Sequence, residues 1–528
     1  MGLVACGGDD DGKAKSRTIS AALTSFPDSL DPALASDTDA WQALWLVYTP
    51  LLTYAHAEGA AGSELLPGLA AALPQISADG RTYRLTLRDG VKFSDGRAVK
   101  ASDFEHTVKR ILNLESVGTS YFQGIVGAEE YLEAGKSRAD ISGIDTDDRT
   151  GAITIRLTEP DGSFSNILAM NFGGIVPQDT PFENQTKRPP PGVGPFKLAN
   201  VRVNRGYDLV KTAGFELAGI PQAKVDRVSV SVIKNRGRQT QSTIRNDLDY
   251  MTDPPAPDQI SSVRDRFEGK RYKEFVTNST YFFFLNHRTA PFDKKAVRQA
   301  VNYALDERAL ARVYGGLFEP GCNFLPPGMK GFEKIEPCPY GDPEGPPNLA
   351  RARQLITQAG VEDKTVRVYG TDEPEPKAAV EYLADVLTQI GLNAKPRIVA
   401  GEAYYEQVGA TKTKAQAGFA NYFQDYPRPS SFFTLVDGAS IQPANSPNFG
   451  NVDDPQINAA IARANRNPDV DAVADDYAAI DKRLLDEAHL APYGNRKLSV
   501  FVSDRINFED CTVWHPVYNL DYASLCLK

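Results

Sequence analysis

The pattern that most restricts the fold lies at residues 365–433, where strand-like and helix-like periods alternate. Residues 366–368 and 392–399 are predicted strands, and residues 378–390 are a predicted helix with one apolar face. A strand–helix–strand unit places its two strands parallel in one sheet. A further strand is predicted at 418–423. The sequence therefore predicts an α/β fold.

The strand at 418–423 also suggests where a ligand binds, because ligands of open α/β sheets lie beyond the carboxyl ends of the strands. Asp425 follows this strand directly. The aromatic residues around this carboxylate are Tyr422, Phe423, Tyr426, Phe432 and Phe433. A peptide needs apolar surface for its side chains and an anion for its amino group. An ordinary aromatic core strand followed by a proline turn explains the same residues equally well.

The known sequence signatures of catalysis are absent from the chain. It contains no HExxH, GxSxG, Walker or dinucleotide-binding motif. The five histidines are scattered singly, and the acidic run at 372–375 lacks the spacing of a calcium loop, so we interpret it as a solvated helix start. The sequence thus predicts that the protein is not an enzyme and that it has neither a cofactor nor a metal site. A secreted hydrolase whose carboxylates are not recognisable from spacing stays an alternative.

Length and charge limit the domain count and the partners. A chain of 528 residues exceeds the size of one hydrophobic core, so two or three domains are expected. The net charge of −10 repels a phosphate backbone, which excludes nucleic acid as a partner. Apolar runs such as 281–285 are far shorter than the roughly 20 residues of a bilayer-spanning helix.

Four of the five cysteines form two locally spaced pairs, Cys322 with Cys338 and Cys511 with Cys526. Both pairs are predicted disulfides, which persist only in an oxidising compartment. Buried free thiols or a metal site are the alternatives, although neither pair has CxxC spacing or nearby histidines.

The fifth cysteine has a separate explanation near the start of the chain. Leu3-Val4-Ala5-Cys6-Gly7 resembles the bacterial lipobox, and a polar, flexible segment follows it. The motif predicts lipidation of Cys6, with residues 1–16 acting as lipobox and tether. The charged and apolar segments of a signal peptide do not precede this motif. We therefore expect that these segments lie upstream of the numbered start or that they have been trimmed. The protein is expected outside the cytoplasm, anchored to the membrane at the cell surface or in the periplasmic space.

Several longer segments carry a family resemblance. Residues 81–110 read RTYRLTLRDGVKFSDGRAVKASDFEHTVKR, and residues 283–306 read FFLNHRTAPFDKKAVRQAVNYALD. Shorter matches are GVGPFKL at 192–198 and the segment 29–52. From about residue 17 onward the chain resembles the family 5 solute-binding proteins of ABC importers, which are periplasmic or lipoprotein receptors for oligopeptides, dipeptides, nickel and related cargo.

The resemblance implies a two-lobed, periplasmic-binding-protein-like fold of class II, with an extra inserted domain and a two-segment hinge. Lobe I is expected at 17–49, 189–281 and 486–528. The inserted domain is expected at 50–188 and lobe II at 282–485. Leu285 and Asn286 would then lie on one crossover between the lobes.

The resemblance also implies the site and the role. Asp425 would pair with the amino group of a peptide, and Asn421 and Phe423 would offer backbone groups. The other candidate ligand-binding residues are Tyr422 and Tyr426, and from lobe I Asp37, Thr38 and Trp41. The protein is expected to act as a monomeric peptide receptor that delivers its cargo to ABC permease subunits. Alternative cargoes are a metal chelate, haem, an opine or a sugar, and a different alternative is an adhesion or sensory protein without an importer.

Overall fold

The computed structural model describes residues 17–134 and 140–528, apart from the side chain of Glu402. Its strands are β1 (Thr18–Leu23), β2 (Leu52–Tyr54), β3 (Leu65–Pro67), β4 (Gln75–Ile76), β5 (Thr82–Thr86), β6 (Ile144–Asp147), β7 (Ala152–Arg156), β8 (Phe196–Arg202), β9 (Gly206–Lys211), β10 (Arg227–Val232), β11 (Tyr250–Met251), β12 (Tyr272–Val276), β13 (Ser279–Leu285), β14 (Phe318–Pro320), β15 (Thr365–Thr371), β16 (Asn393–Val399), β17 (Ala417–Phe423), β18 (Leu490–Val502), β19 (Trp514–His515) and β20 (Asn519–Leu520).

The α-helices of the same residues are α1 (Thr38–Leu44), α2 (Ala101–Asn113), α3 (Thr119–Phe122), α4 (Ala128–Glu133), α5 (Phe164–Ile167), α6 (Arg236–Ile244), α7 (Ile260–Phe267), α8 (Lys295–Ala304), α9 (Glu307–Val313), α10 (Leu349–Ala359), α11 (Pro374–Gln389), α12 (Gly401–Gly409), α13 (Ser430–Phe433), α14 (Pro455–Arg466), α15 (Ala474–Asp486) and α16 (Phe508–Cys511). Short 3-10 helices lie at Gly59–Ser63, Asn171–Gly173, Thr411–Thr413, Gly438–Ser440 and Asp471–Val473.

The predicted strand–helix–strand unit is confirmed. β15 and β16 pair in parallel and α11 connects them. β16 is the outermost strand of its sheet, and this position accommodates Pro396, whose missing N–H would break a ladder in a central strand. β17 lies parallel to β15 and antiparallel to β13. The α/β prediction is therefore correct.

One sheet runs through both halves of the protein. It has 12 strands among the described residues, in the order β16-β15-β17-β13-β18-β11-β1-β10-β9-β8, with β12 and β14 also pairing β18. The first half of β18 pairs with β13 and β14, and its second half pairs with β12 and β11. β18 is therefore one of the segments that cross between the lobes.

The pairing register between β13 and β18 shifts next to Gly494, which is the partner of Tyr281. Gly494 has φ +137°, and a Cβ there would lie 2.1 Å from the carbonyl oxygen of Glu319. Only glycine fits this combination of backbone angle and close approach.

Two large hydrophobic cores match a two-lobed architecture. One core is built from residues between 281 and 493, and the other mainly from residues 19–250 and 500–525. The crossover expected at Leu285 and Asn286 is not favoured by the strand pairing, because Leu285 ends β13 in the second core and pairs with Ala417. The lobe boundaries stay proposals, and the strand pairing favours crossovers at 277–279 and near 494–497.

The inserted domain contributes a separate four-stranded sheet, β4-β5-β7-β6, but shares its core with lobe I. Arg110 of α2 makes two hydrogen bonds of 3.1 and 2.8 Å to the carboxylate of Asp31, and both side chains are fully buried. Such a bidentate pair holds the start of lobe I against the inserted domain, because the loss of one partner would leave a buried charge unpaired.

The structure contains both disulfides, Cys322–Cys338 and Cys511–Cys526. Cys6 and the rest of the segment 1–16 lie outside the described residues. In 17–134 and 140–528, no helix has both the length and the apolar character of a membrane span. The same residues contain no group of three or more metal-ligating side chains arranged to hold an ion.

Candidate functional site

A cavity of about 870 Å³ lies between the two lobes. Its lobe I wall is formed by Thr24 after β1, Lys234, Asn235, Arg236 and Gly237 after β10, and Asp253, Ala256, Asp258 and Gln259 after β11. Its lobe II wall is formed by Thr371, Glu373, Pro374, Glu375 and Pro376 where β15 leads into α11, Gly401 and Tyr405 of α12, and Phe419 and Asn421 of β17. Tyr281 of β13 and Arg496 of β18 complete the lining. Most of these residues follow the carboxyl end of a strand, where open α/β sheets bind ligands.

Arg496 is a cation of this cavity that forms no contact ion pair among the described residues, although it attracts the charges of Glu373 and Glu375. Its guanidinium lies 5.5 Å from the ring centroid of Tyr314, and none of the ion pairs among the described residues includes it. Burial opposes its charge, but a hydrogen bond with Tyr281 raises its pKa above the ordinary value. The guanidinium therefore stays charged and can receive an anion that enters the cavity.

Aromatic and amide groups form the adjoining surface of lobe II. The rings of Tyr281 and Phe419 lie 6.1 Å apart, edge to face. The Tyr405 hydroxyl donates a hydrogen bond of 2.8 Å to Oδ1 of Asn421. The surface combines apolar rings with a few oriented polar groups, as small-molecule sites typically do.

An ion pair connects the lobes across the cavity. Nη2 of Arg236 in lobe I lies 3.2 Å from Oε1 of Glu375 at the start of α11. Burial, followed by repulsion from Glu375 and Asp372, raises the pKa of the neighbouring Glu373. The acidic run at 372–375 does begin a helix as predicted, but two of its carboxylates line the cavity instead of facing only solvent.

Asp425 lies outside the lining of this cavity and contacts the inserted domain. Its Oδ2 accepts a hydrogen bond of 2.6 Å from the hydroxyl of Tyr121 and another from Tyr422. Burial raises the pKa of Asp425, and the two phenol hydrogen bonds counteract that rise. In this structure the Asp425 carboxylate is engaged by the hydroxyls of Tyr121 and Tyr422.

Of the residues predicted to bind a ligand, the structure brings Asn421 into the cavity lining. Tyr422 and Tyr426 are turned toward other partners, since the Tyr422 hydroxyl contacts Asp425 and the Tyr426 hydroxyl lies 3.3 Å from Oγ of Ser430. Phe423 is half-buried at the end of β17, with its ring 6.2 Å from that of Tyr281.

The three candidate ligand-binding residues from lobe I lie on or next to α1. None of them lines the cavity. Asp37 caps the helix by accepting from the Ala40 amide at 2.6 Å. Thr38 is exposed. Trp41 is buried, and its indole N–H donates to the Ala35 carbonyl at 2.8 Å, so the ring is not available to the cavity.

Most of the cavity-lining residues were missed by the sequence predictions. The rule that located Asp425 was applied to the strand at 418–423 alone. Applied also to β10, whose alternating Val228, Val230 and Val232 are typical of a strand, the rule would have found Lys234 and Asn235. No local signal marks Tyr281 or Arg496. Their strands, β13 and β18, are far apart in the sequence and are brought together only by the tertiary structure.

Comparisons with known proteins agree with this architecture. The sequence profile described as bacterial extracellular solute-binding proteins, family 5 middle, matches residues 64–443. The chain is 25% identical over 487 residues to the periplasmic murein peptide-binding protein MppA of Escherichia coli, covering 89% of this chain and 87% of that protein. It is 26% identical over 417 residues to heme-binding protein A of Haemophilus influenzae, covering 74% and 73%.

The solved structure titled clavulanic acid biosynthesis oligopeptide binding protein 2 has the same fold. It superposes with a TM-score of 0.88 at 23% sequence identity, covering 97% of this chain and 96% of that one. The two-lobed fold expected for the chain is confirmed by this agreement.

Proposed function

The chain belongs to the bacterial extracellular solute-binding proteins of family 5, and from that premise we propose that it captures a short peptide between its lobes and delivers it, chemically unchanged, to an ABC permease. The observation that carries the proposal is the cavity of about 870 Å³, which both lobes line. This volume lies within the roughly 300 to 1,000 Å³ of small-molecule sites. The names of two similar proteins, a murein peptide-binding protein and an oligopeptide binding protein, favour a peptide over other cargo.

Arg496 is proposed to bind the carboxylate of the peptide. A guanidinium presents paired N–H groups in a plane, which matches the two oxygens of a carboxylate. Arg496 contacts Tyr281 and Tyr314 and forms no contact ion pair among the described residues, so no such pair has to break when a ligand binds.

Asp425 is proposed to bind the amino group of the peptide, with Asn421 and Phe423 offering backbone groups nearby. Its present partners, Tyr121 and Tyr422, are neutral donors. An ammonium would supply the positive charge that a buried carboxylate lacks. The Tyr121 hydroxyl belongs to the inserted domain and has to give way when the ligand enters.

Binding is proposed to proceed as closure of a clamp. The crossovers near 277–279 and 494–497 act as the hinge, and the Arg236–Glu375 pair forms as the lobes meet. Closure expels water, which strengthens every charged contact inside the cavity because the local dielectric falls. The protein is further proposed to act as a monomer and to be tethered outside the cytoplasm by a lipid on Cys6.

The test is calorimetry with one tripeptide in four forms, with free ends, N-acetylated, C-amidated or blocked at both ends. Asp425→Asn should cost about 3 kcal/mol for the free amine and little for the acetylated form, because an unpaired buried ammonium is expensive. Arg496→Met should cost about 1.5 to 3 kcal/mol for the free acid and little for the amide.

Each variant serves as a control for the other, because each should respond to one end of the peptide. Asp247→Asn and Arg245→Met add matched charge controls at an exposed pair whose atoms are 3.0 Å apart. Equal losses for the free and blocked peptides would reject the assigned contacts. Cleavage of the peptide would favour a hydrolase, and a copurified haem or sugar seen by native mass spectrometry would replace the peptide as cargo.

A further inference from the structure

Gln424 directly precedes Asp425 and connects the loop after β17 to a crossover between the lobes. The residue is buried. Its main-chain amide donates a hydrogen bond of 3.1 Å to the carbonyl oxygen of Asn278, and Nδ2 of Asn278 donates one of 3.1 Å to Oε1 of Gln424. Asn278 lies in the segment 277–279, between the strands β12 and β13. Main chain and side chain therefore both join the Asp425 loop to the proposed hinge.

The amide nitrogen of the Gln424 side chain reaches lobe I. Its Nε2 donates a hydrogen bond of 2.9 Å to the carbonyl oxygen of Pro516. Pro516 lies in the turn between β19 and β20, and Nδ1 of His515 accepts hydrogen bonds of 3.1 Å from the amides of Val517 and Tyr518 in this turn. The turn is thus closed by its own hydrogen bonds and presents the Pro516 carbonyl in a fixed position.

Asn278 is itself held tightly on the crossover. A Cβ on Gly328 would lie 1.9 Å from Oδ1 of Asn278, so the asparagine fits only because residue 328 has no side chain. On either side of Asn278, the Thr277 amide donates a hydrogen bond of 2.9 Å to the Arg496 carbonyl, and the Arg496 amide donates one of 3.3 Å to Oγ of Ser279. The crossover that contacts Gln424 is therefore bonded to the crossover that carries Arg496.

The side chain of Gln424 has the features of a positioning group. Its oxygen and its nitrogen bind residues 146 positions earlier and 92 positions later in the chain. An apolar side chain of the same length would fill the space equally well without these bonds. Buried polar groups whose partners are all in place fix one arrangement of the segments that they join.

We propose that Gln424 is a positioning residue that fixes the Asp425 carboxylate relative to the hinge, so that closure of the lobes brings this carboxylate to the amino group of the cargo. The hydrogen bond to Pro516 joins lobe II to lobe I, so it depends on the angle between the lobes. The inference rests on the proposed function, because the role of Asp425 belongs to that proposal. Gln424 itself is not assigned a contact with the ligand.

The first experiment uses calorimetry with the tripeptide Ala-Ala-Ala, with a free or an acetylated amino group. Gln424→Met keeps the length of the side chain and removes both of its hydrogen bonds. The affinity of this variant for the free peptide should fall about tenfold, whereas its affinity for the acetylated peptide should change little, because only an ammonium depends on a well-placed carboxylate. Gln358→Met is the matched control at an exposed position of α10. Equal losses for the two peptides would overturn the positioning role.

Gln424→Glu tests the same bond through pH. An ionised carboxylate at residue 424 still accepts from Asn278 but has no hydrogen for the Pro516 carbonyl, whereas a protonated carboxyl group donates to it. The ratio of the wild-type affinity to the variant affinity should therefore fall as the pH is lowered from about 8 to about 5. The wild type is measured at each pH, because Asp425 also titrates. A ratio that stays constant would overturn the assignment, since loss of packing does not depend on pH.

Hydrogen exchange of the ligand-free proteins separates this inference from the proposed function. Amides of residues 424–428 should exchange about tenfold faster in Gln424→Met than in Gln358→Met, because the loop has lost its bonds to the hinge. Unchanged exchange would overturn the inference even if the peptide binds. If the wild type binds neither peptide, the proposed cargo is rejected, and the exchange result alone decides whether Gln424 holds the loop to the hinge. Melting curves establish that each variant is folded.

Discussion

Among single residues, Asp39 is half-buried and has no cation or hydrogen-bond donor beside its carboxylate in the part of the chain that the structure describes. The titratable groups that face it are the carboxyl groups of Asp37 and Asp253 and the phenols of Tyr207, Tyr250 and Tyr522. Its pKa rises from 3.8 to about 8 on folding, so between these pH values the folded protein holds one proton more than the unfolded chain. The contribution of Asp39 therefore destabilises the folded state progressively as the pH rises from about 4 to 8.

Asp39→Asn should remove this pH dependence, because an amide stays neutral at every pH. The free energy of unfolding of the variant should be close to that of the wild type near pH 4.5. At pH 8 the variant should be more stable by about 1 kcal/mol or more. Urea denaturation of the ligand-free proteins at several pH values measures the difference, with Asp247→Asn as the exposed control. A difference that does not change with pH would contradict the assignment.

At the scale of elements, the segment before α5 joins the inserted domain to lobe II. The Gly162 amide donates a hydrogen bond of 2.7 Å to the Asn465 carbonyl in the last turn of α14. A Cβ on Gly162 would lie 2.1 Å from the carbonyl oxygen of Asn467. The two backbones can approach this closely only because residue 162 has no side chain.

Gly162→Ala should weaken closure without damaging either lobe. The added methyl group forces the inserted domain and lobe II apart, so the closed state becomes less populated and the apparent affinity for ligand falls by about tenfold. Small-angle scattering should show a larger radius of gyration with ligand present. Gly124→Ala is the matched control, because a Cβ there meets no atom within 4 Å. A ligand-bound Gly162→Ala protein as compact as the wild type would refute this role.

At the scale of the whole molecule, the large sheet that continues through β18 links the two lobes, and the proposed clamp requires that they separate. Closed contacts away from the hinge include the hydrogen bond of 2.8 Å between the hydroxyls of Ser163 and Ser430, which join the inserted domain to lobe II. Both residues are buried in this closed form. They offer a position at which opening can be blocked covalently.

The double variant Ser163→Cys with Ser430→Cys should form a disulfide that holds the protein closed. Oxidised, it should take up and release ligand at least tenfold more slowly than the wild type, because the cavity opens only when the lobes separate. Reduction should restore the rates, as measured by stopped-flow fluorescence, and each single cysteine variant is the control. Wild-type rates in the oxidised double variant would contradict the clamp mechanism.

Local patterns in the sequence predicted the parts of the protein that depend on neighbouring residues. The apolar face of α11 and its flanking strands have a helical or alternating period, so the strand–helix–strand unit was predicted correctly. The two disulfides join cysteines that are 16 and 15 residues apart, close enough to be matched from spacing. The role of Asp425 stays a prediction. Its carboxylate lies outside the cavity lining and contacts Tyr121, a residue 304 positions away that no local pattern could have identified as its partner.

The sequence alone therefore determined the α/β class, the main elements and the family, since periodicity and extended motifs are properties of contiguous residues. The cavity was decided only by the tertiary structure. Its lining joins residues as distant as Thr24 and Arg496. Charge, burial and access at such a site depend on distances through space, and these are established only when the lobes fold and meet.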